Sequence, residues 1–282
     1  MTWRRAGLVL GLAVLLGACA SVPSPELRRQ QAAQLAAAHS WRGAPLAGTP
    51  FRLQSYAPDG FVAGAPLTVY IEGDGFSWRT SRQPSQDPTP IDPLALRLAL
   101  AQPDGNAAYL GRPCQYLDAD RAPCSQRYWT EARFAAEVVA SLDQALSQLK
   151  QRAGAEQLVL VGYSGGAALA LLLAARRTDV AQVISVAGNL DHAAWTAYHR
   201  VQPLRASLNP HDQLAALASV PQRHLLGGAD TVMPAALGAA FVADLPRPNA
   251  ASSEVFADFD HHCCWVEQWP QLWPRLRISP AR

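Results

Sequence analysis

An α/β architecture, a mostly parallel sheet with helices on both faces, is what three features of the sequence predict. The chain has 282 residues, 49% hydrophobic and 16% charged, enough apolar material for one substantial core with room for a small insertion. Apolar runs of strand length alternate with helical periodicity along most of it, as in a parallel sheet wound with helices. Residues 158–177 then read as an unbroken apolar strand, a sharp glycine turn and an Ala/Leu-rich helix. A strand without a polar face is covered on both sides, and a helix apolar nearly all round is buried against it. Arg176 and Arg177 stand near that helix's negative end, where cations are favoured.

The N-terminus is a separate unit. Met1-Thr2-Trp3-Arg4-Arg5, an apolar core over residues 6–16 and small residues before Cys19 are the three parts of a secretory signal peptide, here residues 1–18. The apolar stretch is too short to span a bilayer comfortably. Leu16-Gly17-Ala18-Cys19 resembles the lipobox of bacterial lipoproteins, which implies cleavage before Cys19 and lipidation of its thiol and amine. Three acyl chains exceed the two signals needed for stable anchoring. Ala20, not Asp, follows the cysteine, which by analogy with lipoprotein sorting implies the outer membrane, facing the periplasm. Residues 19–50, rich in Ala, Gln, Ser and Pro, read as a lipidated tether, helical in part over residues 25–38. The folded domain is therefore expected over residues 51–282.

Within it, residues 51–56 and 67–71 read as strands, the second running into Gly73-Asp74-Gly75-Phe76. Pro-, Ser- and Asp-rich residues 81–93 form a loop, residues 93–102 a short amphipathic helix and residues 106–110 a strand. Phe134, Val138, Leu142, Ala145 and Leu149 recur at helical spacing within residues 130–152. After the central strand and helix, residues 180–187 form a strand followed by Gly188-Asn189-Leu190-Asp191. Irregular residues from about 190 to 221, aromatic at first, read as a small cap. Residues 223–226 are a strand ending in Gly227-Gly228-Ala229-Asp230, residues 234–243 a helix, residues 253–259 a strand, and residues 266–276 a closing helix with Trp269 and Trp273 on one face. There is no internal repeat.

Charge and cysteines narrow the partners. Removing Arg4 and Arg5 with the signal leaves 22 basic against 22 acidic residues, so overall charge gives no reason to expect nucleic acid or an anionic membrane as a partner. Apart from Cys19 the cysteines are Cys114, Cys124, Cys263 and Cys264, an even number suited to an oxidising compartment. Cys114 with Cys124 is the favoured pair, because a loop-like segment separates them; closing it contributes about 3 kcal/mol. Adjacent Cys263 and Cys264 either bond through a strained turn or remain buried thiols. No C-x-x-C or H-x-x-x-H spacing occurs, so neither a metal nor another cofactor is expected.

The chemistry centres on Gly162-Tyr163-Ser164-Gly165-Gly166, a G-x-S-x-G turn that holds a serine in strained backbone above a sheet. A serine hydroxyl needs a base, and the base needs an orienting carboxylate. Chemistry in parallel sheets collects at the carboxyl ends of strands, which points to Asp230 and His261, with Asp191 as the alternative acid and His262 as the alternative base. Asp258 and Asp260 precede the histidines too closely to hold the far nitrogen. The Gly165 N–H, at a helix N-terminus, is one expected oxyanion donor. The other is expected from Asp74, Gly75 or Phe76.

The order nucleophile, acid, histidine is that of α/β-hydrolases, which the chain resembles over roughly residues 51–276. More narrowly it is similar to bacterial α/β-hydrolase-fold lipoproteins, through Tyr70-Ile71-Glu72-Gly73-Asp74-Gly75, Gly111-Arg112-Pro113-Cys114, Tyr128-Trp129-Thr130, Ala187-Gly188-Asn189-Leu190-Asp191 and Asp260-His261-His262-Cys263-Cys264-Trp265. The resemblance implies a serine hydrolase, esterase- or lipase-like, acting on a small-molecule or lipid ester. One departure is the oxyanion loop, which begins Glu72-Gly73-Asp74-Gly75 and lacks the common His-Gly start; an acidic side chain there could repel an oxyanion. The alternative is an envelope lipoprotein that keeps the fold for binding alone, since a fold does not fix an activity. The lipobox reading has its own check: metabolic labelling with an alkyne fatty acid marks the wild type and spares Cys19→Ser.

Overall fold

The structure, a computed structural model, describes residues 22–117, 123–246 and 251–277; the signal-peptide and Cys19 readings lie outside the described residues. In chain order the elements are α1 (Pro25–Ala38), β1 (Trp41–Leu46), β2 (Leu53–Pro58), β3 (Leu67–Ile71), a small hairpin of β4 (Trp78–Thr80) and β5 (Gln83–Pro84), α2 (Leu94–Leu100) and β6 (Asn106–Leu110). A 3-10 turn at Gln126–Trp129 precedes α3 (Ala136–Ala153), β7 (Leu158–Tyr163), α4 (Gly165–Ala174), β8 (Val180–Val186) and α5 (His192–His199). A second 3-10 turn, Pro210–Gln213, leads to α6 (Leu214–Leu217), β9 (Gln222–Gly227), α7 (Ala235–Asp244), β10 (Ala251–Phe256) and α8 (Trp265–Leu276).

Eight strands form one sheet in the order β1-β2-β6-β3-β7-β8-β9-β10. Strand β2 runs against both of its neighbours, and every pairing from β6 to β10 is parallel. Alternation along β3 shows why two helical layers form. Leu67, Val69 and Ile71 enter one core with residues of α3, α4 and α7, while Tyr70 enters the other with residues of α1, α2 and α8. In α4 every residue from Gly165 to Ala174 is buried, and each fully buried leucine there contributes about 1.5–3 kcal/mol. On the opposite face Trp265 and Trp269 are wholly buried, and Trp269 Nε1 donates to the Tyr70 hydroxyl at 2.9 Å. Cys114 and Cys124 are joined in a disulfide with their Cα atoms 5.6 Å apart.

Three segments differ from the sequence reading. Residues 25–38 form the expected helix, α1, but it and the edge strand β1 pack onto the domain rather than serving as a tether, so the folded unit begins well before residue 51. Helix α1 buries only Arg28, Ala32 and Ala36, a stripe too small and too polar to register as a core face. The helix expected from residue 130 begins at Ala136, because the turn before it directs Arg133 inward to Asp74. The loop expected at residues 81–93 starts as the β4/β5 hairpin, which stands out from the sheet's carboxyl edge. Residues 190–221 carry α5 and α6.

Candidate active site

Strand β7 delivers Ser164 in a left-handed backbone conformation, φ 51° and ψ −122°, which costs an L-residue about 1–3 kcal/mol and persists only where neighbours over-determine it. Here they do. Ser164 N–H donates to Val186 O (3.0 Å), and Ser164 O accepts from Ala167 N–H (3.1 Å) and Asn189 N–H (2.9 Å). The turn closes because Gly162 has no side chain: a Cβ there would stand 2.4 Å from Ala167 Cα.

His261 reaches both partners. Its Nε2 lies 3.1 Å from Ser164 Oγ and its Nδ1 2.8 Å from Asp230 Oδ2. Asp230 Oδ1 accepts from the N–H groups of Val232 (2.8 Å) and Met233 (2.7 Å), fixing the carboxylate just beyond β9. All three residues are less than a tenth exposed. The other candidates make different contacts. Asp191 caps α5, accepting from Ala193 and Ala194 N–H. Asp260 accepts from His262 and Cys263 N–H and so shapes the turn after His261. In that turn Cys263 and Cys264 are joined in a disulfide, with Cys263 exposed, which replaces the reading of buried thiols. His262 lines the cavity beside His261 without touching Ser164. A second Ser–His contact, Ser185 Oγ to His224 Nδ1 at 2.8 Å, has no access to substrate, because both residues are wholly buried.

The oxyanion loop after β3 resolves the departure noted in the sequence. Phe76 N–H donates to Pro88 O and Gly73 N–H to Glu72 Oε1, so these two N–H groups of the loop are already engaged. The Asp74 carboxylate packs directly on Gly165, where a Cβ would meet Asp74 Oδ1 at 2.1 Å. Two arginines that the sequence did not single out as site residues hold it: Arg112 Nη1 pairs with Oδ1 and Arg133 Nη1 with Oδ2. Burial alone would raise this carboxyl's pKa, but the Arg133 and Arg112 charges outweigh burial and hold it below the usual range. Asp74 is thus neutralised beside the site where negative charge would develop. A cavity of about 540 Å³ adjoins Ser164, and Phe76, Trp78, Ile91, Trp195 and Val232 are among the residues that line it. Among the described residues no group of three or more His, Cys, Asp or Glu could hold a metal ion.

A parallel sheet with a serine in this turn, and a histidine bridging it to a carboxylate beyond a later strand, defines the α/β-hydrolase class. The model of the dienelactone hydrolase family matches residues 53–261, and the chain belongs to that family. Among solved structures it is similar to the Pyrococcus furiosus esterase Pf2001, at 12% identity over 90% of this chain and 93% of that one, with a TM-score of 0.58. It is also similar to a putative dienelactone hydrolase from Klebsiella pneumoniae, at 18% identity over 83% of this chain and 96% of that one, TM-score 0.56. Est1E from Butyrivibrio proteoclasticus aligns at 12% identity over 82% of this chain and 95% of that one, TM-score 0.57. At these identities the likeness is one of fold. No curated protein matches the chain in sequence.

Glu72, on the cavity floor, is a buried carboxyl. Burial pushes its pKa from 4.5 to about 7, against the opposing effect of bonds from Gly73 N–H, Tyr109 O–H and Ala95 N–H. The folded chain therefore binds more protons than the unfolded chain between these two values, and stability falls as pH rises through that window. Glu72→Gln removes this loss. In urea denaturation the stability difference moves in favour of the variant by on the order of 3 kcal/mol between pH 4.5 and a pH above 7; an unchanged difference would mean that Glu72 titrates normally.

Proposed function

We propose that the chain is a serine hydrolase that cleaves an ester or other acyl compound through an acyl-Ser164 intermediate. The observation that carries this reading is the histidine bridge, with Nε2 on Ser164 Oγ at 3.1 Å and Nδ1 on Asp230 at 2.8 Å. Ser164 Oγ attacks the acyl carbon as His261 Nε2 takes its proton, and Asp230 holds the Nδ1–H tautomer and stabilises the imidazolium. The oxyanion forms among the N–H groups of Gly165 and of Asp74 or Gly75, at the N-terminus of α4. His261 then protonates the leaving group, and water, deprotonated by the same imidazole, releases the acid and restores Ser164.

The family's name and the esterases among its structural relatives support the same chemistry. The lipobox-like Leu16-Gly17-Ala18-Cys19 supports the further reading that the mature chain is a lipoprotein of the bacterial envelope, held by Cys19 and facing the periplasm, with the outer membrane favoured by Ala20. Its substrate is a small-molecule or lipid ester.

A fluorophosphonate probe is expected to label the wild type and not Ser164→Ala, and p-nitrophenyl ester turnover in that variant should fall by at least about 10³-fold. An unlabelled folded wild type would sink the assignment. The Asp74 pairing yields a separate expectation. Arg133→Gln leaves a half-neutralised carboxylate beside the oxyanion, so kcat falls on the order of 10²-fold with KM little changed. Asp74→Asn added to that variant should restore most of the loss. A double variant no faster than Arg133→Gln would assign the arginine to packing alone.

A further inference from the structure

The rim of the cavity has a composition that hydrolysis of a soluble ester does not require. Trp78, Ile91 and Val232 line the cavity yet are 41%, 44% and 40% exposed, a concentration of large apolar surface around one opening that marks an interaction site. Trp78 belongs to the β4/β5 hairpin, whose Arg79 and Arg82 are exposed, and residues 77–86 contain no Asp or Glu. An indole beside arginines is the side-chain chemistry of a lipid headgroup layer, the cations favouring anionic lipid. Inside, the guanidinium of Arg133 donates through Nε to Thr130 O and through Nη1 to Asp74. The walls left to the substrate are chiefly apolar.

Helix α1 ties the same rim to the N-terminus. The Arg28 guanidinium lies 5.3 Å over the ring of Phe76, which lines the cavity. Arg28 Nη1 donates to Thr89 O, and Arg28 and Arg29 approach Asp87 at 3.6 and 3.7 Å. The start of α1 is therefore bound to the loop that carries Ile91. Cys19 lies three positions before Val22, a span of at most about 11 Å, and summing extended and helical rises limits Cys19 to within roughly 26 Å of Arg28. A lipid on Cys19 would thus be tethered within that reach of the cavity rim. Val22 and Leu27, near the start of α1, are themselves exposed.

We propose that the mouth of the cavity faces the anionic bilayer that holds the chain's own lipid anchor, and that the substrate is an ester with an apolar acyl arm drawn from that lipid surface. This rests on the acyl-serine and lipidation readings above and adds orientation and substrate class to them.

The test uses the full lipidated chain in phosphatidylcholine vesicles containing phosphatidylglycerol, compared with a variant carrying a Gly/Ser spacer of about 30 residues between Ala20 and Val22. Two substrates are measured, a vesicle-embedded long-chain fluorogenic ester and soluble p-nitrophenyl butyrate, together with hydrogen exchange at residues 77–84. The spacer is expected to lower the embedded-ester rate at least about fivefold by diluting the mouth away from the surface, while the soluble-ester rate stays within about twofold. Exchange protection of the hairpin on vesicles should be lost with it. Arg79→Ser with Arg82→Ser should slow the embedded ester on phosphatidylglycerol vesicles and not on pure phosphatidylcholine. Equal embedded-ester rates and equal protection with and without the spacer overturn the proposal. Hydrolysis of neither ester overturns it through the acyl-serine reading, and release of the wild type from vesicles by high salt overturns it through the lipidation reading. Protection that rises with protein concentration in detergent overturns it in favour of a second copy of the chain.

Discussion

The left-handed backbone of Ser164 is the constraint from which the carboxyl edge of the sheet is built. A residue at φ 51° cannot continue β7, so the chain turns at once into α4 and the serine oxygen projects above the sheet. Only backbone without side chains can pass so closely, and Gly162, Gly165 and Gly166 supply it. The cost is offset by the burial of α4, apolar on every side and enclosed between β7 and the helices of its own face.

The same close approach creates a charge problem. Gly165 lets Asp74 rest against the helix start, where a carboxylate is welcome to the helix dipole but would be unwelcome to the oxyanion of the proposed reaction. Arg112 and Arg133 resolve the conflict by taking one carboxylate oxygen each, and they are held in turn. Arg112 Nη2 donates to Arg133 O, and the Arg112 guanidinium lies 5.2 Å over the Phe134 ring. A loop that lacks the common His-Gly start thus obtains its rigidity from a buried ion cluster rather than from backbone alone. Such clusters are costly to break and contribute little net stability, which suits a positioning role better than a structural one.

Helix α1 joins these two features to the N-terminus. Its single buried charged side chain, Arg28, reaches the loop that forms one wall of the cavity. A segment with almost no apolar stripe is therefore part of the domain by virtue of one arginine, two alanines and the partly buried Leu35. It also links whatever restrains the N-terminus to the geometry of the cavity mouth.

Local period and chain order are signals carried along one dimension, and they were enough to determine the alternating architecture, the strand-turn-helix at Ser164 and the order of serine, acid and histidine. They also limited the candidates to pairs: Asp230 or Asp191, His261 or His262. Which member of each pair joins the contact with Ser164 was decided by the tertiary structure, because neighbouring residues share a local pattern and differ only in where the turn aims them. Asp260 closes the turn through the N–H groups of His262 and Cys263, and of the two rings it is that of His261 that meets Ser164. The neutralisation of Asp74 was invisible for a related reason. Its partners lie 38 and 59 residues away, and two arginines at such distances have no periodicity to betray them until the sheet brings them together.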